Sequence, residues 1–273
     1  MAGAGGGQLL DLSTGITTVV SEHGHRDGSP AVLLLHGWAG SRRSFAALLP
    51  LLPQRVRAVT VDLRGHGDAD KPTTGYDLPT LAADVIAVLD ALGMPEAVLV
   101  GASSGGYVAQ QVAVTAPDRV AGLVLAGAPR DLRGLPPFAD ELAGISDPVD
   151  PAWARTFTAG FTDLDRLPAW YVDLMVEDAL RLPASVWMAS FDGLNRSRPP
   201  TDGGMITAPT LVVSGARDAL LARDQTAAMV EAIPGAEWIE YADTGHLVLE
   251  EQPAQLAADV VSFLAELAGD GRS

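Results

Sequence analysis

The sequence predicts an α/β protein, with a doubly wound, mostly parallel sheet and one inserted helical segment. Short runs rich in Val and Leu recur between helical patterns, and these runs are almost continuously apolar, as in strands covered on both faces. The alternation stops between residues 131 and 205, where eight prolines interrupt amphipathic stretches and no strand-like run occurs. We therefore predict a core domain of residues 1–130 and 206–273, with a helical cap at residues 131–205.

Seven apolar runs are predicted strands, and the stretches between them are predicted crossover helices. The strands are residues 16–20, 31–35, 56–61, 97–100, 122–126, 210–213 and 238–241. The helices are residues 41–52, 81–92, 105–116, 223–233 and 253–267. The second helix is the best defined, since Asp77 or Thr80 can cap its start and Gly93 then Pro95 end it. Residues 1–8 are rich in Gly and Ala and predict a flexible tail without the features of an export signal.

Composition excludes several classes of function. The 34 acidic residues outnumber 18 Lys and Arg, giving a net charge of −16, which argues against nucleic acid or an anionic membrane as partner. The absence of cysteine excludes disulfides, thiolate nucleophiles and Cys-ligated metals. No apolar run approaches the roughly 20 residues that span a membrane. We expect a cytoplasmic monomer or homodimer that acts on a small molecule.

The predicted cap is rich in aromatic residues. Its 75 residues hold eight of the fifteen aromatics in the chain: Phe138, Trp153, Phe157, Phe161, Trp170, Tyr171, Trp187 and Phe191. Some of these rings must form the cap's own core, because buried rings are normally packing residues. Their density still favours an apolar pocket beneath the cap. Trp153, Trp170, Trp187 and Phe191 are the candidates for its lining.

A nucleophile motif stands between a predicted strand and a predicted helix. Residues 101–105 read Gly-Ala-Ser-Ser-Gly, and Gly-x-Ser-x-Gly at such a junction is typical of a nucleophile elbow. The turn is so tight that only glycines fit beside the serine. Ser103 is the predicted nucleophile. Ser104 is the alternative, since it fits a relaxed motif flanked by Ala102 and Gly106.

A serine nucleophile needs a base, and the chain has five histidines. His23 and His25 lie in a polar N-terminal turn, residues 21–30. His36 and His66 follow predicted strands, at the edge where α/β sheets place their sites, but both precede the elbow. His246 follows the last strand and is the predicted base.

The acid that orients the base is expected at the end of another strand, between the serine and the histidine. Asp218 follows the strand at residues 210–213 and meets that condition. Asp131 and Asp224 are competitors. Asp243 is a less favoured one because it lies so near His246 in sequence.

Five segments together resemble the α/β-hydrolase superfamily, in the group with helical caps. They read Leu-His-Gly-Trp at 35–38, Asp-Leu-Arg-Gly-His-Gly at 62–67, the elbow, Gly-Ala-Arg-Asp at 215–218 and Thr-Gly-His at 244–246. The resemblance covers residues 28–130 and 206–267 and implies a sheet of about eight strands. Family relatives often carry other residues beside the nucleophile than Ala102 and Ser104, and often a proline after the acid loop, where this chain has Ala219.

The resemblance also implies roles for individual residues. Ser103, Asp218 and His246 would form a catalytic triad. The backbone N–H groups of Trp38 and Ser104 would form the oxyanion hole, and His36 and His66 would be architectural.

These observations predict a serine hydrolase that acts on a medium-sized, largely apolar ester or lactone through an acyl-enzyme, with no metal or cofactor. A serine nucleophile argues against the epoxide hydrolases and haloalkane dehalogenases of this fold, which attack with an aspartate. Carbon–carbon bond hydrolysis and cofactor-free perhydrolase or haloperoxidase activity use the same triad and are the alternatives. A small-molecule receptor that retains the triad is the alternative without turnover.

Overall fold

The computed structural model describes residues 7–134 and 142–270 and contains one eight-stranded sheet. Its strand order is β1-β2-β4-β3-β5-β6-β7-β8. The strands are β1 (Gln8–Asp11), β2 (Thr17–His23), β3 (Ala31–Leu35), β4 (Arg57–Val61), β5 (Ala97–Ala102), β6 (Val120–Ala126), β7 (Thr210–Gly215) and β8 (Glu237–Tyr241). β3 to β8 pair in parallel, while β2 pairs antiparallel with both β1 and β4. The predicted fold class is confirmed.

Helices cover both faces of the sheet. They are α1 (Leu78–Ala91), α2 (Ser104–Thr115), α3 (Pro151–Ala159), α4 (Ala169–Leu180), α5 (Ala184–Arg196), α6 (Arg223–Ala232) and α7 (Pro253–Asp270), with single turns at Pro200–Gly203 and Val248–Glu251. The side chain of Asp77 accepts a hydrogen bond from the Thr80 N–H at 3.0 Å, so Asp77 is the cap of α1. Within the described ranges, no helix is both long and apolar enough to cross a membrane.

Successive residues of the central strands supply two separate apolar cores. In β3, Leu33 and Leu35 pack into the core that includes α1 and α2, whereas Val32 and Leu34 pack into the core that includes α7. Because side chains alternate across a strand, a strand that is apolar at every position must be covered on both faces. This arrangement explains the continuous apolar runs and leaves the carboxyl ends of the parallel strands for the functional loops.

Three local predictions are wrong. Residues 41–52 form two 3-10 turns, Arg42–Phe45 and Leu49–Leu51, in place of a helix. Pro50 lacks the N–H that a continuing helix would need, and the turns close by i to i+3 bonds such as Leu52 N–H to the Leu49 carbonyl at 3.1 Å. Gln8 belongs to β1 and not to a tail, because β1 gains its hydrogen bonds from β2. His23 ends β2, where it pairs with Ala58 of β4.

The segment between β6 and β7 contributes α3, α4 and α5, and residues 142–205 contain no strand. These helices pack against the loop that follows β3. The indole N–H of Trp38 donates to the Ser190 hydroxyl of α5 at 2.9 Å, and the Tyr171 hydroxyl of α4 donates to the Ser44 carbonyl. Phe138 lies outside the described residues. The boundaries of the cap stay a prediction.

Candidate active site

Ser103 stands alone between β5, which ends at Ala102, and α2, which begins at Ser104. Its backbone has φ 48° and ψ −122°, a conformation that costs about 1–3 kcal/mol in a residue other than glycine. The flanking glycines make the turn possible. A Cβ at Gly105 would lie 2.2 Å from the Leu35 carbonyl oxygen, and one at Gly101 would lie 2.4 Å from the Cα of Gly106.

Ser103, His246 and Asp218 form a continuous hydrogen-bonded chain. The Ser103 Oγ lies 2.9 Å from His246 Nε2, and His246 Nδ1 lies 2.9 Å from Asp218 Oδ2. An ionised carboxylate can only accept, so Nδ1 carries the proton and Nε2 is left to accept from the serine hydroxyl. The side chains of His246 and Asp218 are only 2% and 5% exposed. Chemically, such a chain can supply a nucleophile, a base and an acid that orients the base.

The second oxygen of the Asp218 carboxylate, Oδ1, is held by the backbone of its own loop. It accepts hydrogen bonds from the N–H groups of Leu220 and Leu221, both at 2.8 Å. The carboxylate is therefore oriented from one side by the backbone and from the other by His246.

The loops after β7 and β8 are joined by backbone contacts. The Arg217 N–H donates to the Thr244 carbonyl at 2.9 Å, and a Cβ at Gly215 would lie 2.1 Å from the Gly245 carbonyl oxygen. This close approach brings residues 215–218 alongside residues 244–246. It explains why two short motifs far apart in sequence present Asp218 and His246 to each other.

The competing acids have other partners. Asp131 pairs with Arg133 at 2.8 Å, and Asp243 pairs with Arg217 at the surface. Asp224 accepts from the backbone N–H of Gln225 at 2.9 Å.

His36 and His66 connect the loops that follow β3 and β4. His36 Nδ1–H donates to the Gly37 carbonyl at 2.8 Å, and its Nε2 accepts from the Leu63 N–H at 3.0 Å. His66 Nδ1–H donates to the Arg64 carbonyl at 2.9 Å. Burial lowers the pKa of His36 to about 4, and burial together with the neighbouring His36 lowers the pKa of His66 to about 3. Both rings are neutral and committed to backbone bonds.

Trp38 and Ser104 border the site on either side of Ser103. A Cβ on Gly37 would lie 3.3 Å from the Ser103 Cβ, so the loop after β3 passes directly beside the serine. Ser104 is the first residue of α2, and the N–H groups of a first helical turn are not used by the helix itself. Both residues line the cavity above the serine.

A cavity of about 120 Å³ opens beside Ser103 and His246. For scale, an apolar cavity of ~150 Å³ admits benzene. Its polar lining consists of Ser44, Ser103, Ser104, Thr158, Asp178, Asn195, His246 and Glu250. The rest of the lining is mostly apolar. No group of three or more His, Asp or Glu side chains in residues 7–134 and 142–270 is arranged to hold a metal ion.

Of the four aromatics predicted to line the pocket, Phe191 does so. Trp187 is fully buried behind the lining, with its ring 4.9 Å from Phe157, and Trp153 stacks on Phe157 at 5.1 Å. Trp170 is 52% exposed and packs on Tyr171. The aromatic wall is instead Trp38, Phe157, Phe161 and Phe191.

Sequence reasoning missed Phe157 and Phe161 as wall residues, together with the two acidic residues of the lining. Phe157 lies in α3 and Phe161 follows the end of that helix at Ala159, so their only signal was a spacing of four residues, which shares a face only within a helix. Glu250 carried another, because it follows an apolar run, residues 247–249, beside the predicted base. Asp178 had none, since its partners come from a distant turn.

Comparisons with known proteins show the family to which the chain belongs. Residues 32–259 match the model described as "Alpha/beta hydrolase family". A 2-hydroxymuconate semialdehyde hydrolase of Pseudomonas putida is 28% identical over 292 residues, covering 93% of each chain. The esterase RhEst1 from Rhodococcus sp. ECU1013 has a similar structure, with a TM-score of 0.82, 26% identity and coverage of 96% of this chain and 99% of that one.

A longer relative is similar in part. The dihydrolipoyllysine-residue acetyltransferase component of the acetoin cleaving system of P. putida is 29% identical over 261 residues, 89% of this chain. The match spans 65% of that protein's length.

Proposed function

Because the chain belongs to the alpha/beta hydrolase family and is a hydrolase, we propose that it is a serine hydrolase that cleaves a largely apolar ester or lactone. The observation that carries the proposal is the chain from Ser103 Oγ through His246 to Asp218, with both hydrogen bonds at 2.9 Å and the serine facing an apolar cavity. In this proposal Ser103 is the nucleophile, His246 the general base and acid, and Asp218 the residue that fixes the imidazole.

The reaction follows from the positions of the protons. The Ser103 oxygen bonds to the carbonyl carbon while His246 Nε2 takes its proton, and Asp218 stabilises the resulting imidazolium. The tetrahedral intermediate then expels the alcohol oxygen, which takes the proton from His246. Water attacks the acyl-enzyme by the same path, with His246 as base, and releases the acid and free Ser103.

The negative oxygen of the intermediate needs donors that are already in place. The backbone N–H groups of Trp38 and Ser104 are the proposed donors, since they belong to the two segments that flank Ser103. Each such donor contributes roughly 2.7–4 kcal/mol to transition-state stability. The strained turn at Ser103 holds the serine in this position before substrate arrives.

The cavity limits the substrate. A space of about 120 Å³ walled by rings accepts a compact apolar group and excludes a folded peptide or a polymer chain. The similarity to the esterase RhEst1 supports an ester.

Three further properties stay predictions: a cytoplasmic location, a monomeric or homodimeric state, and catalysis without a cofactor.

Carbon–carbon bond hydrolysis is the second candidate, and one observation favours it. The 2-hydroxymuconate semialdehyde hydrolase that resembles this chain does so over 93% of both lengths. The same triad can serve that reaction. Parallel assays on simple esters and on ring-cleavage diketones separate the two, since each candidate predicts much faster turnover of its own substrate class.

Replacing the serine tests the proposal. Ser103→Ala should lower the rate of p-nitrophenyl acetate hydrolysis by about 10³-fold or more, because nucleophile and base act as a unit. The matched variant Ser104→Ala keeps its backbone N–H and should stay within a few-fold of the wild type. Thermal unfolding of both variants checks their fold. Equal losses in the two variants, or a wild-type rate in Ser103→Ala, would refute the assignment of the nucleophile.

A further inference from the structure

Glu250 is an acidic residue in the cavity that the proposed mechanism does not use. It lies in the turn Val248–Glu251, four residues after His246, and borders the same cavity. Its side chain is largely surrounded by protein, and the residue keeps part of its surface accessible. Among the described residues, the donor to its carboxylate is its own backbone N–H, and no Lys, Arg or His forms an ion pair with it.

Asp178, the other acidic residue of the lining, differs from Glu250 because it is neutralised. It accepts from the Ser41 hydroxyl at 2.6 Å and forms an ion pair with Arg43. The cavity therefore contains two carboxylates. Asp178 has a positively charged partner within the protein, and Glu250 has none among the described residues.

The groups around Glu250 do not compensate its charge. Glu251 is adjacent, with its own oxygens bound to the Thr162 hydroxyl and the Gly245 N–H, both at 2.9 Å, and the nearby Arg166 pairs with Glu251, at 4.0 Å, rather than with Glu250. Tyr171 lies close enough to Glu250 for that charge to raise its pKa, but its phenol is neutral and donates to the Ser44 carbonyl, so it supplies no positive charge. Burial, with a smaller contribution from Glu251, raises the pKa of Glu250 to about 7.

A bound cation would compensate the charge of the Glu250 carboxylate. Burying a carboxylate without a partner is costly, and pairing it with a positive group in a site of low dielectric reverses the cost. Aromatic walls such as Phe157 and Phe161 also favour a cation at their faces. The net charge of −16 raises the local concentration of cations near such a cleft.

We propose that Glu250 is a specificity residue that selects substrates carrying a protonated amine on a compact apolar body. The claim that such substrates are hydrolysed rests on the proposed serine hydrolase function. The claim that they are bound rests only on the cavity and Glu250. The ammonium group would donate its hydrogen bonds to the Glu250 carboxylate while the apolar body fills the aromatic part of the cavity. Because Ser103 and Glu250 border the same cavity, the amine and the scissile carbonyl belong to one small molecule.

Three ligands of one shape test the proposal. Benzylamine, benzyl alcohol and benzoate differ in charge at one position, and calorimetry at pH 8 measures their binding to the wild type, Glu250→Gln and Glu250→Leu. We expect the wild type to bind benzylamine at least 10-fold more tightly than benzyl alcohol and to bind benzoate most weakly. Both variants should lose the preference for the amine, and the second keeps the test valid should the first fail to fold.

Glu237→Gln is the matched control, since it removes one exposed negative charge from β8, away from the cavity. It should keep the wild-type order of affinities. The proposal is overturned if the wild type binds benzyl alcohol as tightly as benzylamine, if the preference survives in the Glu250 variants, if Glu237→Gln also loses it, or if none of the ligands binds.

Hydrolysis of p-nitrophenyl acetate by the same proteins separates the two proposals. An amine preference without turnover would contradict the serine hydrolase function and support the role of Glu250. Turnover without an amine preference would support the serine hydrolase function and contradict the role of Glu250.

Discussion

Individual residues of the site differ in how far the sequence could predict them. Ser103, Asp218 and His246 follow strands of a parallel sheet, and the carboxyl ends of such strands meet at one edge, so motif and order alone indicated which three side chains come together. Trp187 and Trp170 were different. Which face of an inserted helix lines a cavity depends on the loops that the helix packs against. The ring of Trp187 packs against that of Trp38, with 5.1 Å between the ring centroids, and is buried behind the cavity wall.

Asp218→Asn tests the acid. An amide would donate to Nδ1 and hold the imidazole in the tautomer whose Nε2 cannot accept the serine proton, so kcat should fall by about 10⁴-fold with the fold intact. Steady-state kinetics on p-nitrophenyl acetate and a thermal melt measure both effects. Asp243→Asn is the matched control, because Asp243 is an exposed partner of Arg217, and its rate should be near that of the wild type. A larger loss in the control would transfer the role to Asp243.

Among the elements, the turn Arg42–Phe45 joins the helical segment to the site. Its cap, Ser41, and its residue Arg43 both bind Asp178 of α4, and the turn follows directly on the loop that carries Trp38. Burial raises the pKa of Asp178, while Ser41 and Arg43 oppose that effect. The sequence predicted a helix here because the apolar spacing is helical, but Pro50 and the i to i+3 bonds produce two short turns.

Asp178→Asn should weaken this connection. Losing the charge removes an ion pair and a charge-assisted hydrogen bond, so the free energy of unfolding should fall by about 1.5–3 kcal/mol, as measured by urea denaturation. The neighbouring Glu177→Gln is the control. Glu177 pairs with the same Arg43 from the exposed surface, at 3.2 Å, and its loss should cost about 1 kcal/mol or less. Equal losses in the two variants would contradict a structural role for the buried pair.

For the whole molecule, the sequence determined architecture better than it determined substrate. Continuous apolar runs specify a doubly covered parallel sheet whatever the details of its loops, and the eight strands appear in the expected class. The sequence did not predict β1, because a strand of four residues carries little periodicity. Its hydrogen bonds to β2 hold this segment in the sheet. The acidic composition argues against polyanionic partners, and in the folded chain Glu250 adds a further acidic group at the cavity wall.

The most direct test of the central claim is to trap the nucleophile. The wild type is treated with a fluorophosphonate, and the adduct is located by intact mass and fragment-ion mapping of the peptide that contains residues 101–106. We predict one adduct per chain, on the Oγ of Ser103, and none in Ser103→Ala. An adduct on Ser104 or elsewhere, or a wild-type chain that stays unmodified, would contradict the account.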